Sequence, residues 1–258
     1  MIATVRDTAY IAWRHLRNLS RQPWYIALSL MQPIIYLFLF GSLFQRVAQI
    51  PGFGSSSYVT FLAPGLVVMS ALFSGGFGGF SMIEDLDRGV VDRLLVSPMR
   101  RSAIIFGKMV QIGATLIIQS AILILLAWGR GASFSNGAAG IVLLVLSAIL
   151  LAMSFNGLSM SVALLVRRQE SVIATVNGVL LPLTFLSSLF MAPELMPAWM
   201  RHVARFNPVN WAVQAGRGAV SSNPDWGVIL AHLGYLLAFG IFCAFLSNRA
   251  FRSYQRSV

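Results

Sequence analysis

Residues 139–166 read AGIVLLVLSAILLAMSFNGLSMSVALLV, a run without a charged side chain. A helix needs about 20 apolar residues to cross a hydrocarbon core about 30 Å thick. The run is therefore long enough to span a lipid bilayer as one helix. Five further windows of similar composition lie along the chain, and the six predicted spans are residues 25–44, 58–82, 104–128, 139–166, 171–191 and 227–247.

The composition of the whole chain supports a membrane location. Of its 258 residues, 57% are hydrophobic and 10% are charged, whereas a soluble domain carries about 25% charged residues. Lipid admits only helices and closed β-barrels, because backbone polar groups must be satisfied internally. Barrel strands would alternate apolar and polar residues, and these continuous runs do not. We therefore predict an all-α membrane protein with six transmembrane helices in a single domain, 1–258.

Basic residues in the connecting segments predict the orientation. Six spans place both termini on one side, and 14 of the 19 Lys and Arg residues lie on that side, against five on the other. An excess of Lys and Arg marks the cytoplasmic side, so both termini are predicted to be cytoplasmic. These residues explain the net charge of +11 as topology signals beside anionic headgroups, and we predict no nucleic-acid partner.

Two segments outside the spans are amphipathic. Residues 4–21 place Arg6, Arg14 and Arg17 away from an apolar face, which is typical of a helix lying in the cytoplasmic interface. A solvated helix before the first span is the alternative. Residues 192–226 combine four prolines and several charges with apolar residues at helical spacing. They predict an outer re-entrant hairpin of short helices.

The largest cytoplasmic connection contains residues 84–97, which read EDLDRGVVDRLLVS. Its leucines and valines fall on one face of a short helix, its charged residues fall on the other, and Pro98 ends it. An amphipathic helix at the membrane surface suits docking into a groove of a partner protein. A solvated loop that carries topology charges is the alternative.

The sequence gives no sign of catalysis in this chain. Its three histidines are scattered over both sides of the predicted membrane, so their spacing predicts no metal site. The single lysine, Lys108, is followed by Met109, whereas a P-loop requires Ser or Thr there. No carboxylate lies inside a predicted span, although ion-coupled transporters carry such groups. We therefore expect no enzyme in this chain and an energy source in another subunit.

The predicted spans do contain a few neutral polar side chains. Hydrogen bonds between helices are one explanation for them, and contact with a transported substrate is the other. The candidate substrate path consists of Gln32, Asn156, Asn177 and Ser187.

The segment around residues 84–97 also carries a family resemblance. Its acidic start, its core RGVVDR at 88–93 and its ending SPMRRS at 97–102 strongly resemble the loop between the second and third spans of ABC type-2 exporter permeases. The daunorubicin/doxorubicin-resistance branch looks especially similar. The dipeptide QP at 32–33 and the stretch NPVN at 207–210 are supporting matches.

This resemblance implies partners and residue roles. Two permease copies would pair, as a homodimer or a heterodimer, and each would carry a soluble ABC ATPase subunit. That subunit would bind ATP and Mg²⁺, so no cofactor is expected in this chain. The 84–97 segment would be the coupling helix, and the 4–21 helix would contact the ATPase through Arg6, Arg14 and Arg17. The implied coupling residues are Glu84, Asp85, Arg88, Val91, Asp92, Arg93, Leu94 and Leu95.

The resemblance also implies a function. Such permeases export molecules across the bacterial cytoplasmic (inner) membrane, and the mostly aliphatic spans favour a hydrophobic or amphipathic cargo such as a drug, a polyketide or a lipid. A glycolipid or polysaccharide permease is the alternative within transport. A membrane scaffold that transports nothing is the alternative in another class, and it predicts no stimulation of an ATPase.

Overall fold

The computed structural model describes residues 23–50, 57–87, 101–166 and 168–255. Within these ranges the chain is helical and forms no strand, which confirms the prediction of an all-α membrane protein. Short 3-10 helices occupy Gln45–Gln49 and Pro193–Leu195. The α-helices are α1 Pro23–Leu43, α2 Tyr58–Gly76, α3 Gly78–Asp87, α4 Arg101–Gly129, α5 Gly137–Val166, α6 Gln169–Phe185, α7 Ala198–Ala204, α8 Pro208–Val220 and α9 Trp226–Gln255.

Within the described residues, five stretches are long and apolar enough to cross a bilayer. They are Ile26–Leu43, Tyr58–Phe80, Val110–Gly129, Gly137–Val166 and Trp226–Ala250. The predicted span at 171–191 coincides with α6 and the residues that follow it. With 17 residues, α6 is about 26 Å long at 1.5 Å per residue, somewhat less than the thickness of the hydrocarbon core.

The α2 helix forms the centre of the bundle. Nearly all of its residues are buried, and it packs against α1, α4, α5 and α8. The predicted span at 58–82 is interrupted at Phe77, which separates α2 from α3. Glycines occupy positions 75, 76, 78 and 79, and glycine weakens a helix because it loses more conformational freedom on folding than other residues. The interruption therefore follows from the local sequence.

The two ends of the bundle differ. The helices α7 and α8 lie at one end, called the short-helix end below. There the amide nitrogen of Asn136, just before α5, donates to the Ala219 carbonyl at the end of α8 (2.9 Å). The chain reverses between α4 and α5 through Gly131 and Gly137, whose φ angles are 86° and 56°. Such positive φ values favour glycine. At the opposite end the α3 residue Gly79 packs on Ser159, near the end of α5.

The outer surfaces of the long helices are apolar. Large hydrophobic side chains are exposed along α1, α4 and α9, for example Leu39, Leu125, Ile241 and Phe245. Within a bilayer these side chains face lipid or another apolar surface instead of water, so their exposure carries no hydrophobic penalty.

Candidate functional site

A row of glycines lets α2 and α3 approach α5 and α6 closely. A β-carbon on Gly75 would overlap the Ala152 backbone carbonyl of α5, and one on Gly79 would overlap the carbonyl of Ser159. The backbone N–H of Gly79 donates to the Ser159 hydroxyl at 3.0 Å. Small residues at such contacts give close backbone packing, which is a main source of helix association in membranes. The α2–α3 junction is therefore tightly held by its neighbours.

Asn156 belongs to this glycine contact. Its side chain is 5% exposed, and its Oδ1 atom lies so close to Gly78 that a β-carbon there would overlap it. In this arrangement the side chain contributes to packing between α3 and α5, and it lies away from the exposed surface of the subunit.

Three polar side chains connect α1, α2 and α4 inside the bundle. Gln119, which is 1% exposed, donates from Nε2 to the Ser29 hydroxyl at 2.7 Å. Its Oε1 atom accepts a hydrogen bond from the Ser74 hydroxyl at 3.2 Å. Hydrogen bonds of this kind stabilise helix pairs in a membrane by about 0.6 kcal/mol on average. Gln119 thus joins three helices by its two amide atoms.

An aromatic surface runs along α1 toward the short-helix end. Tyr36 and Phe40 are in ring contact at 5.2 Å, and the ring of Phe190 lies 5.8 Å from Tyr36 and 5.4 Å from Phe40. Phe185, at the end of α6, extends the row at 5.8 Å from Phe190. Gln32 is exposed one turn before Tyr36 and donates to its hydroxyl at 3.1 Å. The surface is apolar apart from this pair.

The stretch NPVN at 207–210 joins the end of α6 to the start of α8. The amide nitrogen of Asn207 donates to the carbonyls of Leu183 and Leu186 at 2.7 and 2.9 Å. Its oxygen accepts from the backbone N–H of Val209 at 2.9 Å, which caps α8. Helix ends leave such groups without intrahelical partners. One buried side chain therefore satisfies the ends of two helices.

Arg217 of α8 is held by backbone carbonyls from two other segments. Its guanidinium donates to the Phe61 carbonyl of α2 at 3.1 Å and to the Ser188 carbonyl at 3.0 Å. It also lies over the Phe61 ring, 3.6 Å from the ring centre. An arginine stays protonated in proteins, and a charge is costly in an apolar setting unless it is paired or hydrogen-bonded. The contacts indicate that Arg217 fastens α8 to α2 and to the residues after α6.

The distribution of charges along the sequence places Arg217 among the basic residues of the side opposite the termini, and it does not predict that Arg217 fastens α8 to its neighbours. The helix around it is otherwise rich in small buried residues, among them Ala212, Ala215, Gly216 and Ala219. A lone arginine in such a stretch is the signal that could have indicated an interior position.

The structure separates the members of the candidate substrate path. Gln32 is exposed beside the aromatic surface, and Asn177 is half-buried on α6. Ser187 is buried and donates to the Thr184 carbonyl at 2.7 Å, while Asn156 packs against α3. The four side chains therefore do not converge on one cavity within the subunit.

The predicted coupling segment is described only in part. Glu84 and Asp85 lie in the last turn of α3, next to the buried side chain of Ile83. The predicted coupling residues Arg88, Val91, Asp92, Arg93, Leu94 and Leu95, and the interfacial residues Arg6, Arg14 and Arg17, lie outside the described residues. Among the described residues no cluster of three His, Cys, Asp or Glu side chains could hold a metal ion.

These features define a polytopic helical membrane protein with closely packed spans and a short-helix cap at one end. A family model described as "ABC-2 type transporter" matches residues 6–220. The chain belongs to this family, and it is the transmembrane permease subunit of an ABC transporter and not the subunit that hydrolyses ATP.

Several curated proteins are similar over most of the chain. The daunorubicin resistance ABC transporter permease protein DrrB1 of Streptomyces coeruleorubidus is 27% identical over 231 residues, which cover 88% of this chain and 80% of that protein. The putative transport permease ycf38 of Porphyra purpurea is 27% identical, covering 86% and 76%. Nodulation protein J of Rhizobium leguminosarum bv. trifolii is 26% identical, covering 94% and 89%. The first of these agrees with the predicted daunorubicin-resistance-like branch.

Proposed function

We propose that this permease exports a hydrophobic or amphipathic molecule, such as a drug, a polyketide or a lipid, across the bacterial cytoplasmic membrane. The observation that carries the proposal is the aromatic surface of Tyr36, Phe40, Phe185 and Phe190, in which Phe185 is exposed and the other three rings are half-buried. Stacked and tilted rings suit an apolar or aromatic cargo, and Gln32 supplies a polar contact beside them. The relative named for daunorubicin resistance supports the same class of cargo.

A glycolipid or polysaccharide cargo is the second candidate. A glycan path needs many polar groups next to its aromatic rings, because each sugar hydroxyl loses hydrogen bonds to water on binding. The polar groups at the aromatic surface are the Gln32 amide and the Tyr36 hydroxyl, and they are hydrogen-bonded to each other. This sparse polarity favours the hydrophobic cargo.

Six membrane crossings are part of the proposal, with α6 as the fifth. Val176 and Leu180 of α6 lie against Gly76 near the α2–α3 junction, and Leu189 lies against Gly65 farther along α2. The segment from α6 to Leu189 thus runs beside α2 from the junction toward the short-helix end. Six crossings place both termini on one side, and the distribution of Lys and Arg makes that side cytoplasmic.

Energy would come from a soluble ABC ATPase subunit, with two copies in a complex of two permeases. The α3 helix leads directly into the 84–97 segment, and Gly79 and Ile83 fix α3 in the bundle. A force applied to that segment by ATP binding would therefore reach the α2–α3 junction. We assign Leu94 and Leu95 to an apolar cleft of the ATPase, and Asp92 and Arg93 to its orientation.

The test combines Leu94→Ala with Leu95→Ala in the complete transporter. Truncating a buried leucine at an interface removes up to a few kcal/mol of binding free energy. A loss of about 1.4 kcal/mol already corresponds to a tenfold weaker affinity. We expect ATPase co-purification to fall at least about tenfold and export to be lost. Membrane insertion should be unchanged, because the substituted segment lies between spans.

The matched control pairs Leu125→Ala with Leu146→Ala, the same chemical change at exposed positions of α4 and α5. Control cells should retain ATPase binding and export at equal expression. Normal co-purification together with normal export in the Leu94 and Leu95 variant would mean that the 84–97 segment is a solvated loop, and it would sink the coupling proposal.

A further inference from the structure

A cavity of about 230 Å³ opens at the short-helix end, between the segment that begins at Pro193 and the first turns of α8. Its polar lining consists of Arg201, Arg205, Asn210 and Gln214. All four carry N–H donors, and none is acidic. The cavity is separate from the aromatic surface along α1 and from the 84–97 segment, so neither part of the proposed transport function explains it.

The two arginines are positioned without a carboxylate partner. Arg201 donates from Nη2 to the Met196 carbonyl at 3.0 Å and to the Glu194 carbonyl at 3.5 Å. The backbone at Arg205 is held by the indole N–H of Trp211, which donates to its carbonyl at 2.6 Å. Within the described part of the chain neither guanidinium forms an ion pair. Their remaining N–H groups are therefore free to bind an anion in the forked geometry typical of arginine.

Asn210 adds an amide donor to the cavity. Its side chain is 3% exposed, and its Oδ1 atom accepts a hydrogen bond from the backbone N–H of Ser188 at 3.0 Å. That bond fixes the orientation of the amide, because a backbone N–H needs an acceptor. The Nδ2 group consequently lies on the other side, and it has no hydrogen-bond partner among the described residues. This unpaired donor is accessible from the cavity, where a ligand oxygen can accept a hydrogen bond from it.

Exposed apolar side chains flank the arginines. Trp199, Val203 and Phe206 recur at helical spacing in and just after α7, and Trp199 and Phe206 are 64% and 71% exposed. Arg201 and Arg205 fall between them in sequence and therefore point to another face of the helix. Helices that lie in a membrane interface have this division between an apolar face and a basic face.

We propose that the cavity binds the phosphate of a phospholipid in the leaflet at the short-helix end. The two guanidinium groups and the Asn210 amide hold the phosphate oxygens, and the acyl chains lie along Trp199 and Phe206. An anionic headgroup complements the cationic lining, whereas a neutral headgroup does not. The lipid would fix α7 and the start of α8 at the level of the membrane interface. The inference goes beyond the proposed export function and does not depend on the ATPase.

The experiment measures binding of phosphatidylglycerol to the purified, delipidated permease by native mass spectrometry. Replacing both guanidiniums in an Arg201→Gln, Arg205→Gln variant should weaken binding by about tenfold or more. The single Arg205→Gln variant should lose about threefold and keep its fold, since the Arg205 side chain makes no hydrogen bond among the described residues. Arg46→Gln, at an exposed position at the same end, is the control and should bind as the wild type does.

Three outcomes would overturn the proposal. Unchanged phosphatidylglycerol binding in the single and double variants would show that the arginines do not hold the headgroup. Equal binding of neutral diacylglycerol would assign the affinity to the apolar face alone. Displacement of the lipid by millimolar inorganic phosphate would identify a site for free anions instead of lipids. Export activity is not a readout in any arm, so loss of the transport proposal would leave this result unaffected.

Discussion

The glycine contact between α2 and its neighbours predicts a graded response to a single methyl group. In Gly75→Ala the new β-carbon would overlap backbone atoms of Ala152, which cannot move without shifting α5. In Gly178→Ala, on α6, the new β-carbon meets no atom within 4 Å. Alanine gains about 1 kcal/mol of helix propensity over glycine in a helix interior such as that at Gly178, and at most this much in the last turn of α2 at Gly75. A destabilisation of Gly75→Ala beyond that difference measures the overlap.

Overpacking a well-filled interior costs about 1–3 kcal/mol. One kcal/mol shifts Tm by about 2–4 °C in a chain of 150–250 residues. Taking about 2 kcal/mol, we expect Gly75→Ala to melt roughly 4–8 °C below Gly178→Ala. The melting temperature of Gly76→Ala should lie between those of the other two variants. Its new β-carbon meets the end of the Leu180 side chain, which can change rotamer.

The assay is thermal unfolding of the purified permease in one detergent, followed by size-exclusion fluorescence. Gly113→Ala, which also has nothing within 4 Å of its new β-carbon, provides a second open-space control. Equal melting temperatures for Gly75→Ala and the two controls would refute the close contact between α2 and α5. An equal drop of the melting temperature in all variants would instead indicate that any glycine-to-alanine change destabilises the protein.

Two further predictions concern the short-helix end. Asn207→Ala should lower the free energy of unfolding by about 2–4 kcal/mol, because it removes a helix cap and two hydrogen bonds to buried carbonyls. The control, Asn223→Ala at an exposed position, should change it little. Equal melting temperatures of the two variants would contradict the double cap. Arg217→Leu leaves the Ser188 carbonyl without its guanidinium donor, and it should lower Tm by more than Arg217→Lys, which keeps the charge and one donor. Protease cleavage near residue 195 should rise in the leucine variant, and unchanged cleavage would show that Arg217 does not fasten α8.

The helices could be predicted from the sequence because each rests on a local signal. A long charge-free run such as residues 139–166 has few alternatives to a helix in lipid, and it corresponds to α5. Capping residues also act locally, as Ser57 does when its hydroxyl accepts from the Thr60 N–H at 3.1 Å at the start of α2. The interruption at Phe77 has a local cause as well, namely its flanking glycines. The apolar stretch Tyr58–Phe80 continues through this interruption and is long enough to cross a bilayer.

The roles of Asn207 and Arg217 could not be predicted in the same way. The partners of Arg217 in α2 lie 156 residues away, and no local pattern specifies such a pairing. The candidate substrate residues show the same limit. Gln32 and Asn156 are both polar residues in apolar runs, yet the first is exposed beside Tyr36 and the second is buried against Gly78. Whether such a polar residue is exposed or buried depends on which helix packs beside it.

The double cap at Asn207 has a consequence for biogenesis. Leu183, whose carbonyl it satisfies, precedes it by 24 residues, so the end of α6 emerges from the ribosome before Asn207 does. Until then the carbonyls at the end of α6 must find water, because lipid offers them no donor. We expect the end of α6 to become stable in the membrane only when Asn207 reaches these carbonyls. Residues 183–210 would then be integrated as one unit.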